Sequence, residues 1–334
     1  MKKFFAYLQY LPVKGIMRFM EHAPRGFHRG LASFFAALAS PLPAFGGLVR
    51  TNLRCAFPEK SEKEIRIMAK ESLKSLIMTF CEFFWIHNKP EIIRDLLEIQ
   101  PGFDDVVRAA EEAKKQNRPL VFVTPHFGNW ELSGMTLALI VGYKTATVVR
   151  TPRNPYLDKL ISEGRSVRNV KIIHSRGGML ELVRDMEKGY CAGMLIDQNT
   201  KVRNGGIFVD FFGFPCPVSR FPATMALKKN AFLAVGSTIR RKDGRFNTYL
   251  RPMPKETCEY KTEEEITQDI TRVSEELIRL APEQYLWLYK RFQYIPPGTP
   301  DELRKRFPDY AYEPPPSFYS NAERAKEYRN RKSC

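Results

Sequence analysis

The segment Thr124-Pro125-His126-Phe127-Gly128-Asn129-Trp130-Glu131-Leu132 places an imidazole and a carboxylate five positions apart, directly after the apolar run Leu120–Val123. On a continuous helix that spacing is poor for contact, because side-chain neighbours lie three and four positions apart. Across a strand-to-helix turn it can bring the two groups together. Pro125 ends the strand, Gly128 permits a sharp turn, and Asn129 caps a helix beginning near Trp130. Such a pair suits proton transfer. The carboxylate fixes one imidazole nitrogen and stabilises the imidazolium, and the other nitrogen is left to act as a base. A bare H-x4-E also arises from a histidine satisfied by turn backbone; the strand-end placement of His126 and Glu131 is what favours chemistry.

Two further strand ends carry polar groups. Val149-Arg150-Thr151-Pro152-Arg153-Asn154-Pro155 offers two guanidinium groups and an amide, which suits a phosphate or carboxylate; solvated arginines and an Asn before a Pro-started helix are the plainer alternative. Gly193-Met194-Leu195-Ile196-Asp197-Gln198-Asn199 ends a buried run on an acid. Asp197 is expected to position an arginine or a loop of the site, or to make a structural ion pair. The aromatic stretch Gly205–Pro215 reads equally as an apolar wall for an acyl chain and as a covering loop.

These turns need a scaffold. Short apolar runs at Leu120–Val123, Thr145–Val149, Lys171–Ile173, Cys191–Ile196, Phe232–Ser237 and Phe246–Leu250 read as strands. Helical patterns lie at 129–141, 155–166, 177–188 and 218–229. The alternation predicts an α/β fold with a mostly parallel central sheet flanked by helices, and ligands in such sheets bind beyond the carboxyl ends of the strands. The last two strands, joined through Lys242-Asp243-Gly244, are expected to form an antiparallel edge hairpin. Ser61 and Glu64 form a capping-box pattern ahead of one long amphipathic helix reaching about Ile86, and a further helix spans 262–280.

The net charge of +16 implies an anionic partner. No nucleic-acid-binding motif is present, so no nucleic acid is expected. Six cysteines without a C-x-x-C pair argue for reduced thiols in a cytosol-facing protein rather than a disulfide framework or a zinc site. Residues 1–50 form an N-terminal membrane-associating helical segment. Lys2, Lys3, Lys14, Arg18, Arg25 and Arg29 alternate with large apolar residues, and each basic group near an anionic surface contributes about 1 kcal/mol. Gly30–Val49 carries no charge but contains Pro41 and Pro43; a membrane span, a surface or re-entrant element, and a hairpin packed on the core all remain open. Residues 51–295 form the main domain, and 296–334 read as a polar, proline-rich basic tail without fixed structure.

At His126-Phe127-Gly128-Asn129-Trp130-Glu131 the chain resembles the lipid A biosynthesis late acyltransferases of Gram-negative bacteria, within the glycerolipid acyltransferase superfamily. The resemblance extends, in order, from Asn52-Leu53-Arg54-Cys55-Ala56-Phe57-Pro58-Glu59 through Arg150–Asn154, Ile196-Asp197-Gln198-Asn199 and Phe211-Phe212-Gly213 to Pro282-Glu283-Gln284-Tyr285-Leu286-Trp287. It departs from the family at Tyr289, where a histidine is expected before Lys290-Arg291-Phe292. The resemblance implies a glycerolipid acyltransferase-like fold and transfer from acyl–acyl carrier protein to a hydroxyl of a lipid A precursor, at the cytoplasmic face of the inner membrane. It implies no metal and no tightly held cofactor. His126 would be the general base and Glu131 its orienter, with Arg150, Asn154, Asp197 and Gln198 binding or supporting the anionic substrate. Acyl carrier protein, an anionic glycolipid and the inner-membrane surface are the expected partners. An acyltransferase for another glycolipid or lysophospholipid, such as a phosphatidylinositol mannoside, with acyl-CoA as donor, is the alternative within the same chemistry.

Overall fold

The computed structural model describes residues 2–319 apart from 87–88, 151, 153, 166–168 and 176. Thr151 and Arg153, and the basic tail beyond 319, therefore lie outside the described residues. Seven strands form the main sheet: β1 (Leu97–Ile99), β2 (Leu120–Val123), β3 (Thr145–Val149), β4 (Val170–His174) and β5 (Cys191–Met194), then, after a separate pair β6 (Gly206–Phe211) and β7 (Phe214–Ser219), β8 (Phe232–Arg240) and β9 (Phe246–Pro252). The order is β1-β9-β8-β2-β5-β3-β4. From β8 to β4 every pairing is parallel, as helical crossovers between apolar strands require. β8 and β9 make the expected antiparallel hairpin. It is not the sheet edge, however, because three-residue β1 pairs outside β9; a strand that short leaves almost no periodic signal.

Alternating strand residues point to opposite faces, and the two faces bury different cores. Val121, Val123, Ala192, Leu233 and Val235 join the larger core with the helix Glu263–Arg279 and with Trp287 and Phe292. Leu120, Phe122, Cys191, Ala234 and Leu250 face the other way, against the helix Phe103–Lys115 and the segment Leu137–Tyr143. The helix Glu62–Ile86 starts on the predicted box: the Ser61 N–H donates to Glu64 Oε2 at 2.9 Å and the Glu64 N–H to Ser61 Oγ at 3.4 Å.

Gly205–Pro215 is neither an open loop nor a cavity wall. β6 and β7 are antiparallel about a two-residue turn, Phe212-Gly213, both at positive φ, which matches the twist of a tight hairpin. Phe211, Phe212 and Phe214 are buried against Tyr285, Trp287, Phe292 and Phe307. The expectation of an unstructured tail from 296 is corrected as far as 319. Phe307 and Phe318 are buried, Tyr294 bridges Tyr312, and Tyr310 donates to Asn52 Oδ1. Aromatic side chains bury enough apolar surface to order this proline-rich segment.

Helices Lys2–His22 and Arg25–Ala39 pack against Glu62–Ile86. Among the described residues no single helix is long and apolar enough to cross a membrane. Arg25–Ala39 and Pro43–Ala56 form an apolar pair bent by 93°. Gly46 makes the bend possible, since a Cβ there would lie 1.9 Å from the Ser40 carbonyl oxygen. Ala32 and Ala36 face inward and are buried, whereas Phe34, Phe35, Leu38, Leu42 and Phe45 are exposed, as are Phe4, Phe5, Leu8, Ile16 and Phe19 of the first helix.

Candidate active site

β2 and β5 are neighbours, with Val123 beside Met194, and the Thr124 N–H extends the ladder to the Met194 carbonyl at 2.9 Å. The turns leaving these strands therefore emerge side by side. One carries His126 and the other Asp197. His126 Nδ1 lies 2.7 Å from Asp197 Oδ1, and the His126 backbone N–H donates to Asp197 Oδ2 at 2.9 Å. Both carboxylate oxygens are thus engaged by one residue, 71 positions away in the chain.

This corrects the expectation that Glu131 orients the imidazole. Glu131 accepts from Arg165 Nε at 2.9 Å and Nη2 at 2.7 Å, a bidentate pair. The Asn129 cap points the first helical turn at the carboxyl end of the helix Pro155–Arg165, where a fork–fork partner waits. Glu131 still acts on His126 through its charge. Burial disfavours the charged imidazole, but the Asp197 carboxylate outweighs it through charge and hydrogen bond, Glu131 adds to that, and Arg165 opposes. The His126 pKa lies above its ordinary value as a result. Burial pushes the Asp197 carboxyl up; the charge and hydrogen bonds of His126 and the charge of Arg291 outweigh it, so that the net shift is downward.

The turn is fixed from all sides. Phe127 is fully buried; Leu286 N–H donates to the His126 carbonyl at 2.9 Å, Gly128 N–H to the Gln284 carbonyl at 3.1 Å, and Asn129 N–H to the Thr238 carbonyl at 2.7 Å. Asn129 Oδ1 caps Leu132 N–H at 3.1 Å while its Nδ2 donates to Glu82 Oε2 at 2.8 Å. Glu82 is in turn paired twice with Arg240, each at 2.6 Å. Gly128 sits at φ +61°, and a Cβ there would approach the Thr238 carbonyl oxygen to 2.2 Å. We predict that Gly128→Ala destabilises the protein by at least about 2 kcal/mol, from the left-handed backbone and the forced contact together. An unfolding midpoint in urea equal to the parent's would contradict that.

His126 lines a cavity of about 400 Å³ beneath the helix Trp130–Thr136, together with Glu131, Arg165, Arg150 and Gln198 at its polar end. Phe122, Met135, Leu137, Thr147, Gly193 and Leu250 continue it across the sheet face. Arg150 and Gln198 line this cavity and are exposed. Asn154 does not line the cavity. Its Oδ1 caps Tyr156 N–H at 3.0 Å, and its Nδ2 donates to the Ala6 carbonyl at 2.8 Å, so it joins the helix Pro155–Arg165 to the N-terminal helix instead of facing substrate. Burial holds the Cys55, Cys81 and Cys216 thiols up at about 11 and Cys191 at about 12. None of these is a thiolate at neutral pH, and none lines the cavity.

Arg165, Tyr285 and Arg291 had no assigned part in the reading of the sequence. Arg165 closes a helix whose apolar periodicity says nothing of its last residue. Tyr285, whose hydroxyl interacts with Asp197, and Arg291 lie after the last long helix, far from any strand end. Tyr289, in the position of the expected histidine, accepts from the Asn199 N–H at 2.9 Å through its hydroxyl.

A half-buried histidine held by a buried aspartate, opening on a largely apolar cavity at the carboxyl ends of a parallel sheet, is an arrangement suited to an α/β enzyme. Residues 2–294 match the family of bacterial lipid A biosynthesis acyltransferases, and the chain belongs to that family of O-acyltransferases. It is 27% identical over 276 residues to the lipid A biosynthesis palmitoleoyltransferase of Escherichia coli K12, covering 80% of this chain and 85% of that one. Against the lauroyltransferase of the same organism the identity is 26%, covering 76% and 80%. Against a lipid A biosynthesis acyltransferase of Haemophilus influenzae it is 24%, covering 75% and 78%.

Proposed function

We propose that the protein transfers a fatty-acyl group from acyl–acyl carrier protein to a hydroxyl of a lipid A precursor, with His126 as general base and Asp197 as its orienting partner. The observation that carries this reading is the 2.7 Å contact between His126 Nδ1 and Asp197 on a residue that also lines the cavity. With Nδ1 held, Nε2 is the nitrogen left for substrate. It takes the proton of the acceptor hydroxyl as that oxygen attacks the thioester carbonyl. The tetrahedral intermediate then expels the thiolate, which receives the same proton from the imidazolium. The Glu131–Arg165 pair fixes two helices at the cavity mouth. Arg150, with Gln198 beside it, meets anionic groups of the glycolipid, and the net charge of +16 attracts both an acidic carrier protein and an anionic bilayer. The exposed aromatic residues and basic groups of the first two helices suit the surface of the inner membrane on its cytoplasmic side.

The acyl chain would lie in the apolar part of the cavity. Gly134 borders that space, and a Cβ built on it meets nothing within 4 Å. Gly134→Phe is therefore expected to shift the preferred donor to a shorter chain, by several carbons, across a series from octanoyl to palmitoyl thioesters. An unchanged chain-length profile would remove the cavity from this role. The function itself is tested by incubating the full chain with acyl–acyl carrier protein or acyl-CoA and lipid A precursors carrying different numbers of acyl chains, then weighing the lipid by mass spectrometry. One added acyl group supports the reading, and transfer only to other lipids, or only from acyl-CoA, refutes it in that form.

A further inference from the structure

Glu82, near the end of the helix Glu62–Ile86, is 1% exposed. It meets Arg240, the last residue of β8, through two bonds of 2.6 Å, Nε to Oε1 and Nη2 to Oε2. A buried ion pair of this kind is a weak source of stability, because desolvation offsets much of its attraction. What distinguishes this one is where its other bonds go. Glu82 Oε2 accepts a further bond, from Asn129 Nδ2 at 2.8 Å. Arg240 Nη2 also donates to Thr79 Oγ1 at 3.2 Å, and Thr79 Oγ1 reaches the Gly128 carbonyl at 3.1 Å. The Gln284 side chain clamps the Arg240 main chain, accepting its N–H and donating to its carbonyl, each at 2.9 Å. Neither Glu82 nor Arg240 lines the cavity. The pair reaches the His126 turn from behind, at Gly128 and at Asn129.

Asn129 is the sensitive member. Its amide accepts on one side and donates on the other, and only one orientation lets Oδ1 cap Leu132 N–H. A carboxylate paired with an arginine only accepts. Glu82 therefore requires Nδ2 on its own side, which turns Oδ1 towards the cap. That cap sets how the helix Trp130–Thr136 leaves the turn, with His126 before it and Glu131 in its first turn.

We propose that Glu82, held in place by Arg240, is a positioning residue for the acyl-transfer site: it fixes the orientation of the Asn129 side chain, and through it the turn that carries His126.

The test is a double-mutant cycle on the full chain between positions 82 and 129, read by the urea midpoint and by kcat and KM. Aspartate caps a helix about as well as asparagine, so Asn129→Asp is harmless if Glu82 has no hold on the cap. With Glu82 behind it, the change sets two carboxylates at hydrogen-bond distance. The midpoint should then fall, and kcat with it by about 10–100-fold, as for a displaced catalytic group. Adding Glu82→Gln offers the new carboxylate an NH₂ donor and should return both readouts close to the parent. Glu82→Leu alone leaves Nδ2 without its acceptor; kcat should drop over the same range with KM unchanged, because the base is displaced and the substrate surface is not. A double variant no better than Asn129→Asp, or a folded Glu82→Leu with the parent's kcat, overturns the proposal and leaves the pair a structural tie. If Glu82→Leu does not fold, the cycle decides alone. The inference rests on the acyl-transfer reading for its purpose, but the two fail differently: a parent protein that transfers no acyl group sinks that reading, while recovery of the urea midpoint in the cycle still reports on Glu82.

Discussion

His126→Ala is expected to fold as the parent does and to transfer acyl groups about 10²–10⁴-fold more slowly, the range typical of a lost general base. That range corresponds to about 3–5 kcal/mol of barrier. The fold should survive because the contacts that set the turn are made by backbone and neighbours. Alanine keeps the N–H bond to Asp197 Oδ2 and the carbonyl bond from Leu286, and the side chain it removes is partly exposed to the cavity. The loss should fall on kcat, because an imidazole that moves a proton only in the transition state contributes little to ground-state binding of either substrate. Circular dichroism establishes the fold and mass-spectrometric turnover the rate. Turnover within a few-fold of the parent would show that another group accepts the proton.

Most of the scaffold was legible because its signals are local. Every long strand of the main sheet followed an apolar run bounded by turn residues, and the box at Ser61 and Glu64 fixed the start of the long helix. His126 was legible for the same reason, since the end of a buried parallel strand is where this architecture binds ligands. The partner of His126 was not. Proximity in sequence drew attention to Glu131, five residues on, whereas the contact depends on β2 and β5 being adjacent in the sheet, and strand order is a tertiary property that no local pattern encodes. Arg165 and Arg291 were hidden likewise: each is identified by what it faces across 34 and 92 residues. The ordered stretch 296–319 was misread because composition registered its prolines and missed Phe307 and Phe318 as core residues.

Asp197→Asn discriminates most sharply between the two carboxylates, and its expected effect rivals that of removing the base. In the parent, both oxygens of Asp197 accept: Oδ1 from the ring at Nδ1 and Oδ2 from the His126 backbone. That places the ring proton on Nδ1 and leaves Nε2 with its lone pair. An asparagine of the same shape has one acceptor and one donor. The backbone N–H cannot be a partner for the amide nitrogen, so the amide oxygen turns to it and the NH₂ group meets Nδ1. The ring then takes the other tautomer, with its proton on the nitrogen that should act as base. A loss of about 10⁴-fold in kcat follows by analogy with the Asp-to-Asn change in a serine protease triad, where the wrong tautomer has that cost. The pH dependence gives a second signature. Burial alone lowers the proton affinity of His126, and it is the negative charge of Asp197 that raises it; with that charge gone, the acid limb of kcat/KM moves to lower pH even as the plateau falls. Glu131→Gln, by contrast, removes a more distant charge and keeps one bond to Arg165, so it should displace the acid limb only slightly. A profile in which Glu131→Gln moves the limb further than Asp197→Asn would return the orienting role to Glu131. A plateau within a few-fold of the parent, with the acid limb moved to lower pH, would mean that Asp197 matters for protonation alone and not for the tautomer.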